Sequence, residues 1–268
     1  MGLRDQLTGK IPSDLLPFVS DHFEVIGDIA VLAVPAVLEP WKHILAQAII
    51  AKRKNIATVL AKTEKITGDS RTAGYEVLMG DRTVTVHHEF GFSYRIDVGR
   101  SFFSARMAAE RKRVTDQVEP GENVYVPFAG VGPFAIPAAA RGAEVSAVEK
   151  NPDAFRWLAE NVALNHADNT CHVLQGDALD TAQIPHASFD RIIIPAPYGL
   201  DHALDVLLPL LSYGGMAHFY TFKTKGQVPG LIAEYEKKGL DITFYSSCGN
   251  VAPGVSRWVF DLVRQCPR

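Results

Sequence analysis

The chain is poor in cysteine, and what it has forms no chemical pair. Cys171, Cys248 and Cys266 are scattered without a CxxC spacing, which indicates neither a disulfide framework nor a zinc site. None of the nine histidines has metal-ligand spacing either, so no metal is expected. No uninterrupted apolar run is long enough to cross a bilayer, and the opening MGLRDQLTGK is polar where a signal peptide needs an apolar core. A cytoplasmic protein without a membrane partner is expected. A large charge of one sign is missing as well, the formal net charge being −3. That argues against a surface coated in positive charge, yet leaves room for a local basic face, because nucleic-acid binding depends on where Lys and Arg cluster. GxxxxGK[ST] occurs nowhere, and there is no internal repeat or low-complexity tract.

What is present centres on VYVPFAGVGPF, Val124 to Phe134. A β-branched strand runs into Gly130-Val131-Gly132, where the backbone can approach a ligand without an intervening Cβ, and Pro133 suits the first position of a helix. Glu149 closes a second apolar strand nineteen residues after Gly130, the spacing at which an acidic side chain reaches a ribose diol. The turn lacks the third glycine of GxGxxG. With no diphosphate-binding loop elsewhere, a nucleoside without a diphosphate is expected, and S-adenosylmethionine fits best.

From about residue 98 strands and helices alternate as in a parallel sheet covered on both faces. The predicted strands are Asn123 to Phe128, Glu144 to Glu149, Thr170 to Gln175, Arg191 to Pro195, Met216 to Tyr220, Asp241 to Tyr245 and Ser256 to Val263. The predicted helices are Pro133 to Arg141, Pro152 to Asn165, with Asn151 as N-cap, Asp201 to Leu211, and Val228 to Lys238. Gly214-Gly215 breaks the chain before the fifth strand. Five parallel strands followed by an antiparallel pair predict an α/β, class I methyltransferase-like (Rossmann-like) sheet of seven strands. Residues 1–97 read differently, as a small α+β domain with a helix around Pro35 to Arg53 and strands Thr83 to His87 and Phe92 to Asp97 about a turn at Gly91. The expected division is 1–97 and 98–268, with the two parts packed together.

Several residues could carry chemistry. Asp177, after the third strand, could accept a hydrogen bond from an adenine amino group, or simply cap a turn. Asn161 and Asn165 lie four apart on one helix face, near the cofactor or solvating the helix end. In FFSARMAAERKR, Phe102 and Phe103 precede Ser104, Arg106, Glu110 and Arg111 to Arg113. This is either a solvated helix of mixed charge or a lid over the cofactor whose arginines meet RNA phosphate or the methionine carboxylate. Lys52, Arg53, Lys54, Lys62, Lys65, Arg71 and Arg82 make the small domain a candidate RNA platform. His87 and His88 cannot face the same side of a strand, so one is packed and the other exposed. His218 is either a substrate contact at the end of the fifth strand or a sheet cap. After the fourth strand, where amino-group methyltransferases carry [ND]PP[YF], the chain has Pro195-Ala196-Pro197-Tyr198. Pro195 offers no side-chain amide or carboxylate; Tyr198 could stack on a base or pack the sheet edge.

With these residues placed, the chain resembles the archaeal tRNA guanine-37 modification enzymes, the N1-methyltransferases and the wyosine-pathway aminocarboxypropyltransferases. The resemblance runs from about Val25 to Leu262 through IGDIAVL, LEPWKH, TVTVHHEFGFSYRIDV, FFSARMAAERKR, PFAGVGPFAIPAA, AVEKNP, WLAENVALN, RIIIP, GGMAHFY, APGV and WVFDL. The aminocarboxypropyltransferase branch is favoured by the lack of an extra N-terminal domain, by Glu149 where methyltransferases tend to have Asp, by APGV, and by Pro195 where methyltransferases place the Asn of NLP. Against it, Arg106 looks like the arginine of the methyltransferases' SPR, and Val126 stands where both branches usually carry an aspartate.

The resemblance implies transfer of the 3-amino-3-carboxypropyl group of S-adenosylmethionine to carbon 7 of 4-demethylwyosine at position 37 of tRNA(Phe), releasing methylthioadenosine. Methylation of guanine-37 N1 is the alternative, and a non-catalytic tRNA-binding module is the alternative of another class. Glu149 would hold the ribose and Asp177 the adenine. Phe128, Gly130 and Gly132 would line the nucleoside and methionine portions together with Phe103, Ser104 and Arg111. Arg106 and Tyr198 would carry the catalytic positioning, facing the methionine arm or the base. The partner is tRNA, and the protein a monomer or homodimer.

Overall fold

Hairpin turns and apolar strands shape the N-terminal part of the chain. The computed structural model describes residues 2–63, 74–184 and 188–266, and the chain divides into two units, Met1–Ala105 and Arg106–Arg268. The first unit contains α1 (Leu3–Leu7), β1 (Glu24–Ile26), β2 (Ile29–Leu32), α2 (Lys42–Lys52), β3 (Thr58–Lys62) and β4 (Tyr75–Met79), and its four strands form a sheet of order β1-β2-β3-β4. β2 and β3 are parallel, with α2 as their crossover. Leu45, Ala46, Ala48 and Ile49 of α2 share a core with Leu7, Ala30, Leu38, Val59 and Leu78. A 3₁₀ turn, Ala36–Trp41, with Pro40 inside it precedes α2, so the expected helix around Pro35 to Arg53 is two pieces that meet after Trp41.

β5 (Val84–Glu89) and β6 (Phe92–Asp97) form a separate antiparallel pair. Their two-residue connection has φ of 49° at Phe90 and 91° at Gly91, the backbone of a type I′ hairpin turn. On β5, His87 is half-buried, accepts from the Gly27 amide at 3.2 Å and packs on Phe103, while His88 is exposed beside Ser93. The alternation expected of a strand is met.

The second unit contains α3 (Ala108–Thr115), β7 (Asn123–Val126), α4 (Ala135–Ala140), β8 (Glu144–Glu149), α5 (Pro152–Leu164), β9 (Cys171–Gln175), β10 (Phe189–Ile194), α6 (Ala203–Leu207), β11 (Leu211–Lys223), α7 (Val228–Lys237), β12 (Leu240–Ala252) and β13 (Val255–Arg264). The sheet order is β12-β13-β11-β10-β7-β8-β9. β7 to β11 pair in parallel, and β13 is antiparallel to both β11 and β12. The mostly parallel seven-stranded sheet expected from the sequence is present. Ile192, Ile193 and Ile194 of β10 are all buried, as a central parallel strand covered on both faces requires. α5 begins as predicted, with the Asn151 side chain accepting from the Asp153 amide at 3.0 Å and Pro152 in the first turn.

Several boundaries differ. β7 stops at Val126 instead of Phe128, because Phe128 has φ 53°. The following helix starts at Ala135, after Pro133, because the turn continues through Gly132 at φ 95°. The helix expected over Asp201 to Leu211 is α6 followed by a 3₁₀ turn, Leu208–Leu210. Strand pairing starts at Leu211, well before Met216. Gly214-Gly215 lies inside a register shift, with Phe189 opposite Leu211 but Arg191 opposite Met216.

Strand order reverses between β7 and β10, the chain proceeding to β8 and β9 on one side and to β11 on the other. Open α/β sheets bind ligands in the crevice beyond the strand ends at such a switch point.

Candidate functional site

The glycine turn beyond β7 is held from three directions. The Ala129 amide donates to Val148 O at 2.9 Å, tying the turn to β8. Glu149 Oε2 accepts from the Gly130 amide at 2.7 Å, and Oε1 from the Asn151 amide at 2.8 Å. From α5, the fully buried Asn161 donates its Nδ2 to Val131 O at 3.0 Å. A Cβ at Gly132 would lie 2.8 Å from Ile136 Cδ1 and 2.9 Å from Leu158 Cδ1, so close packing on α4 and α5, as well as backbone angle, requires glycine there. Phe128 is the unexpected member. A bulky residue at φ 53° stores of order 1 kcal/mol of backbone strain, a feature that gathers at ligand sites.

The fit to a nucleoside rests on Glu149. A carboxylate offers about four acceptor sites; the two backbone amides fix its orientation, and its remaining lone pairs can receive a ribose diol. Asp177 follows β9 on the same sheet edge, exposed, accepting from the Leu179 amide at 3.0 Å and paired with Lys150 at 3.3 Å. The Leu179 amide and Lys150 hold its carboxyl below the ordinary carboxylate value, against partial burial. Asp177 is therefore an ionised acceptor. Tyr125 OH donates to Ala178 O at 3.0 Å, fixing this loop to β7. Asn161 does not solvate a helix end, as one reading of the sequence had it; that role falls to Asn165, which donates to Asn161 O at 2.7 Å at the α5 C-cap.

Beyond β10, Pro195-Ala196-Pro197 leads to Tyr198, which is 73% exposed with its ring 5.4 Å from that of Phe222. Below it, Asp201 accepts from Thr221 Oγ1 at 2.5 Å and Lys223 Nζ at 2.6 Å, which anchors the loop to β11. Phe128, Gly130, Gly132, Glu149, Asp177 and Tyr198 thus share the C-terminal edge of one sheet. Phe103 and Ser104 belong to the first unit, where Phe103 is 7% exposed against the rings of His87 and Tyr94. Arg106 is exposed, whereas Arg111 on α3 is only 4% exposed. An RNA phosphate in solvent is therefore open to Arg106 but not to Arg111.

α3 is pinned to the sheet. Arg113 donates to both oxygens of Asp261 on β13, at 2.6 and 3.0 Å, and to both of Glu110, at 2.8 and 2.9 Å. α3 is thus tied to β13 through Arg113. Burial opposes the charge on Arg113, but its two carboxylates outweigh that and raise its pKa. Tyr220 OH adds a bond to Glu110 at 2.9 Å. His218 lies in the middle of β11, fully buried between Asp261 and Arg191, so it neither ends a strand nor reaches a substrate. No His, Cys, Asp and Glu cluster able to hold a metal occurs among the described residues, and none of their helices is long and apolar enough to cross a membrane.

In the first unit Lys52, Arg53, Lys54 and Lys62 are exposed. Arg82 is paired with Asp28, and Lys65 and Arg71 lie outside the described residues.

Residues 85–235 match the TRM5/TYW2 methyltransferase domain, and residues 3–83 match the TYW2 N-terminal domain. The tRNA(Phe) (4-demethylwyosine(37)-C(7)) aminocarboxypropyltransferase of Pyrococcus horikoshii is 31% identical over 97% of this chain and 95% of its own. The tRNA (guanine(37)-N(1))-methyltransferase Trm5b of Pyrococcus abyssi is 34% identical over 82% of this chain, which spans 66% of that protein. Among solved structures, P. abyssi Trm5b superposes with a TM-score of 0.86 at 31% identity, covering 96% of this chain and 78% of that one. P. horikoshii TYW2 in complex with MeSAdo superposes with a TM-score of 0.79 at 29% identity, covering 97% of both chains. With more than half its length in the first of these domains and a full-length relative above 30% identity, the chain belongs to the TRM5/TYW2 family.

Proposed function

We propose that the protein is a tRNA-modifying transferase that moves the 3-amino-3-carboxypropyl group of S-adenosylmethionine to carbon 7 of 4-demethylwyosine at position 37 of tRNA(Phe), in wyosine biosynthesis. The observation that carries this reading is the match of residues 3–83 to the TYW2 N-terminal domain. Pro195 supports it, because the β10 edge presents no side-chain amide or carboxylate at that position to hold a guanine N1.

When bound, S-adenosylmethionine supplies a sulfonium whose attached carbons are electrophilic. Glu149 holds the ribose, Asp177 accepts from the adenine, and the Phe128 to Phe134 turn brings backbone against the nucleoside without side chains between. Within the second unit Arg111 adds to the cofactor's surroundings, while Arg106 and Tyr198 face the methionine arm or the RNA base. Catalysis rests on orientation, since holding two reactants in line is worth several orders of magnitude in rate. The small domain, residues 1–97, serves as a tRNA platform through Lys52, Arg53, Lys54 and Lys62, and the enzyme acts in the cytoplasm. One observation favours methylation of guanine-37 N1 as a second reading: Arg106 is exposed at the place that resembles a methyltransferase arginine.

The test incubates the protein and S-adenosylmethionine with unmodified tRNA(Phe) and with tRNA(Phe) carrying 4-demethylwyosine, followed by mass spectrometry. The expected result is an aminocarboxypropyl adduct on the tricyclic base, with methylthioadenosine. Methylated guanosine with S-adenosylhomocysteine transfers the protein to the second reading. Tight tRNA binding without cofactor affinity overturns both.

A further inference from the structure

Phe222 lies directly opposite Arg257 across the β11–β13 ladder, and the guanidinium carbon of Arg257 sits 5.2 Å from the centre of the Phe222 ring. Cross-strand partners project from the same face of a sheet. The Tyr198 ring also rests on Phe222, 5.4 Å away and tilted by 54°. One half-buried phenyl ring therefore supports two different planar groups, a phenol and a guanidinium, at the ligand edge of the sheet. The support is itself fixed: Trp258 Nε1 donates to Lys223 O at 3.2 Å beside it, and Lys223 is tied to Asp201. Exposing 73% of a tyrosine while its base is held rigidly leaves apolar area in water, a cost to the free protein that a stacked ligand removes.

We infer that Tyr198 and Arg257, mounted on Phe222, stack two consecutive unpaired nucleobases of the RNA, the acceptor base on Tyr198 and its neighbour on Arg257. This rests on the proposed tRNA substrate. Aromatic rings and guanidinium planes are the two side-chain surfaces on which splayed bases stack, and here one of each contacts the same Phe222 ring. Cationic charge continues along this edge at Lys225, exposed two residues past the end of β11, which suits the backbone linking two such bases. The split of roles follows from position on the sheet. A tyrosine on the rim, next to the switch point, meets the base that enters the site. Arg257, farther out on the β12–β13 hairpin, meets the base that does not.

The experiment uses the full chain with a synthetic anticodon stem-loop carrying 2-aminopurine beside the acceptor position, on either side in separate samples. Fluorescence, RNA affinity and its salt dependence are read for the parent protein, Arg257→Ala, Arg257→Lys and Phe222→Leu. Binding of the parent is expected to change the fluorescence at one neighbouring position. Arg257→Ala and Phe222→Leu abolish that change and weaken RNA binding on the order of ten- to a hundredfold, while S-adenosylmethionine affinity by calorimetry stays unaltered and reports an intact fold. Arg257→Lys keeps the charge but lacks the plane, so it fails to restore the signal. If lysine restores both signal and affinity, or if alanine only lowers the salt slope by about one unit, Arg257 is a phosphate contact and the inference is overturned. If the parent protein binds no stem-loop at all, the proposed function falls first. Should Arg257→Ala not fold, Arg257→Lys and Phe222→Leu decide the matter.

Discussion

His218 Nε2 lies 2.8 Å from Arg191 Nη1 in the interior of the sheet, and its Nδ1 lies 2.7 Å from Asp261 Oδ1. A guanidinium has donors only, so Nε2 accepts, Nδ1 donates to Asp261, and the ring is neutral. Burial also disfavours the imidazolium and outweighs the pull of Asp261, so the folded pKa lies below the ordinary 6.5. Above 6.5 the ring is neutral in both folded and unfolded chains, and stability is whole. Below it the unfolded chain takes up a proton that the folded chain refuses, so stability falls with pH down to the folded value. Urea midpoints measured from about pH 7.5 to about pH 5 are expected to decline, and His218→Gln to decline less steeply. Parallel slopes for the two proteins contradict the assignment.

Arg113 carries the link between α3 and β13. Arg113→Met leaves the carboxylate of Asp261, which is buried, and that of Glu110 without their guanidinium. Removing one member of a buried ion pair costs about 3–5 kcal/mol, and the partial exposure of Arg113 places the expected loss near the lower end. Denaturant unfolding measures it. A loss below about 1 kcal/mol, the range of surface pairs, would mean that solvent screens the cluster.

Asn161 governs the shape of the glycine turn from thirty residues away in sequence. Asn161→Ala leaves the Val131 carbonyl unsatisfied inside the protein, at about 1–3 kcal/mol, and is expected to weaken S-adenosylmethionine binding because the turn loses its anchor. Asn165→Ala, on a half-buried cap, serves as the control and should keep cofactor affinity. Equal effects of the two would reduce Asn161 to a helix-stability residue.

At Gly132 two demands coincide, a φ of 95° and a Cβ position 2.8 Å from Ile136. Gly132→Ala is expected to be poorly stable and deficient in cofactor binding. Gly214→Ala shares a positive φ of 79° but meets open space, so it should lose only the backbone contribution, about 1 kcal/mol. Thermal melts of the pair with and without S-adenosylmethionine separate the two causes.

These residues show what the sequence could disclose. Strand and helix alternation, the Asn151-Pro152 start and the position of Glu149 were legible because period and capping are local signals. The sequence allows Asn161 to be an end cap because its partner is a distant backbone carbonyl, and a mid-helix asparagine looks the same whether it meets water or Val131. By sequence His218 falls near a strand end because the glycine pair hides a register shift, after which β11 runs on to Lys223. Arg113 was one charge in a mixed run, and only pairing with β13 brings Asp261 to it. Nothing local marks Phe128 for a left-handed backbone, since the nearby turn dictates it.

Glu149 joins the legible and the hidden parts of the site. Spacing marks it as the proposed ribose acid, while the structure adds that the same carboxylate caps Gly130 and Asn151. Glu149→Ala therefore removes a ligand contact and frees both ends of the turn, and cofactor affinity should fall by more than a single hydrogen bond explains, on the order of a hundredfold. Glu149→Gln distinguishes the two contributions. Its amide retains one acceptor oxygen, but its NH₂ must face the amide of Gly130 or of Asn151, donor against donor. If the carboxylate only contacted ribose, glutamine would retain much of the affinity. Because it also orders the turn, glutamine is expected to bind nearly as poorly as alanine, and calorimetry showing near-parental affinity for Glu149→Gln would remove Glu149 from its structural role.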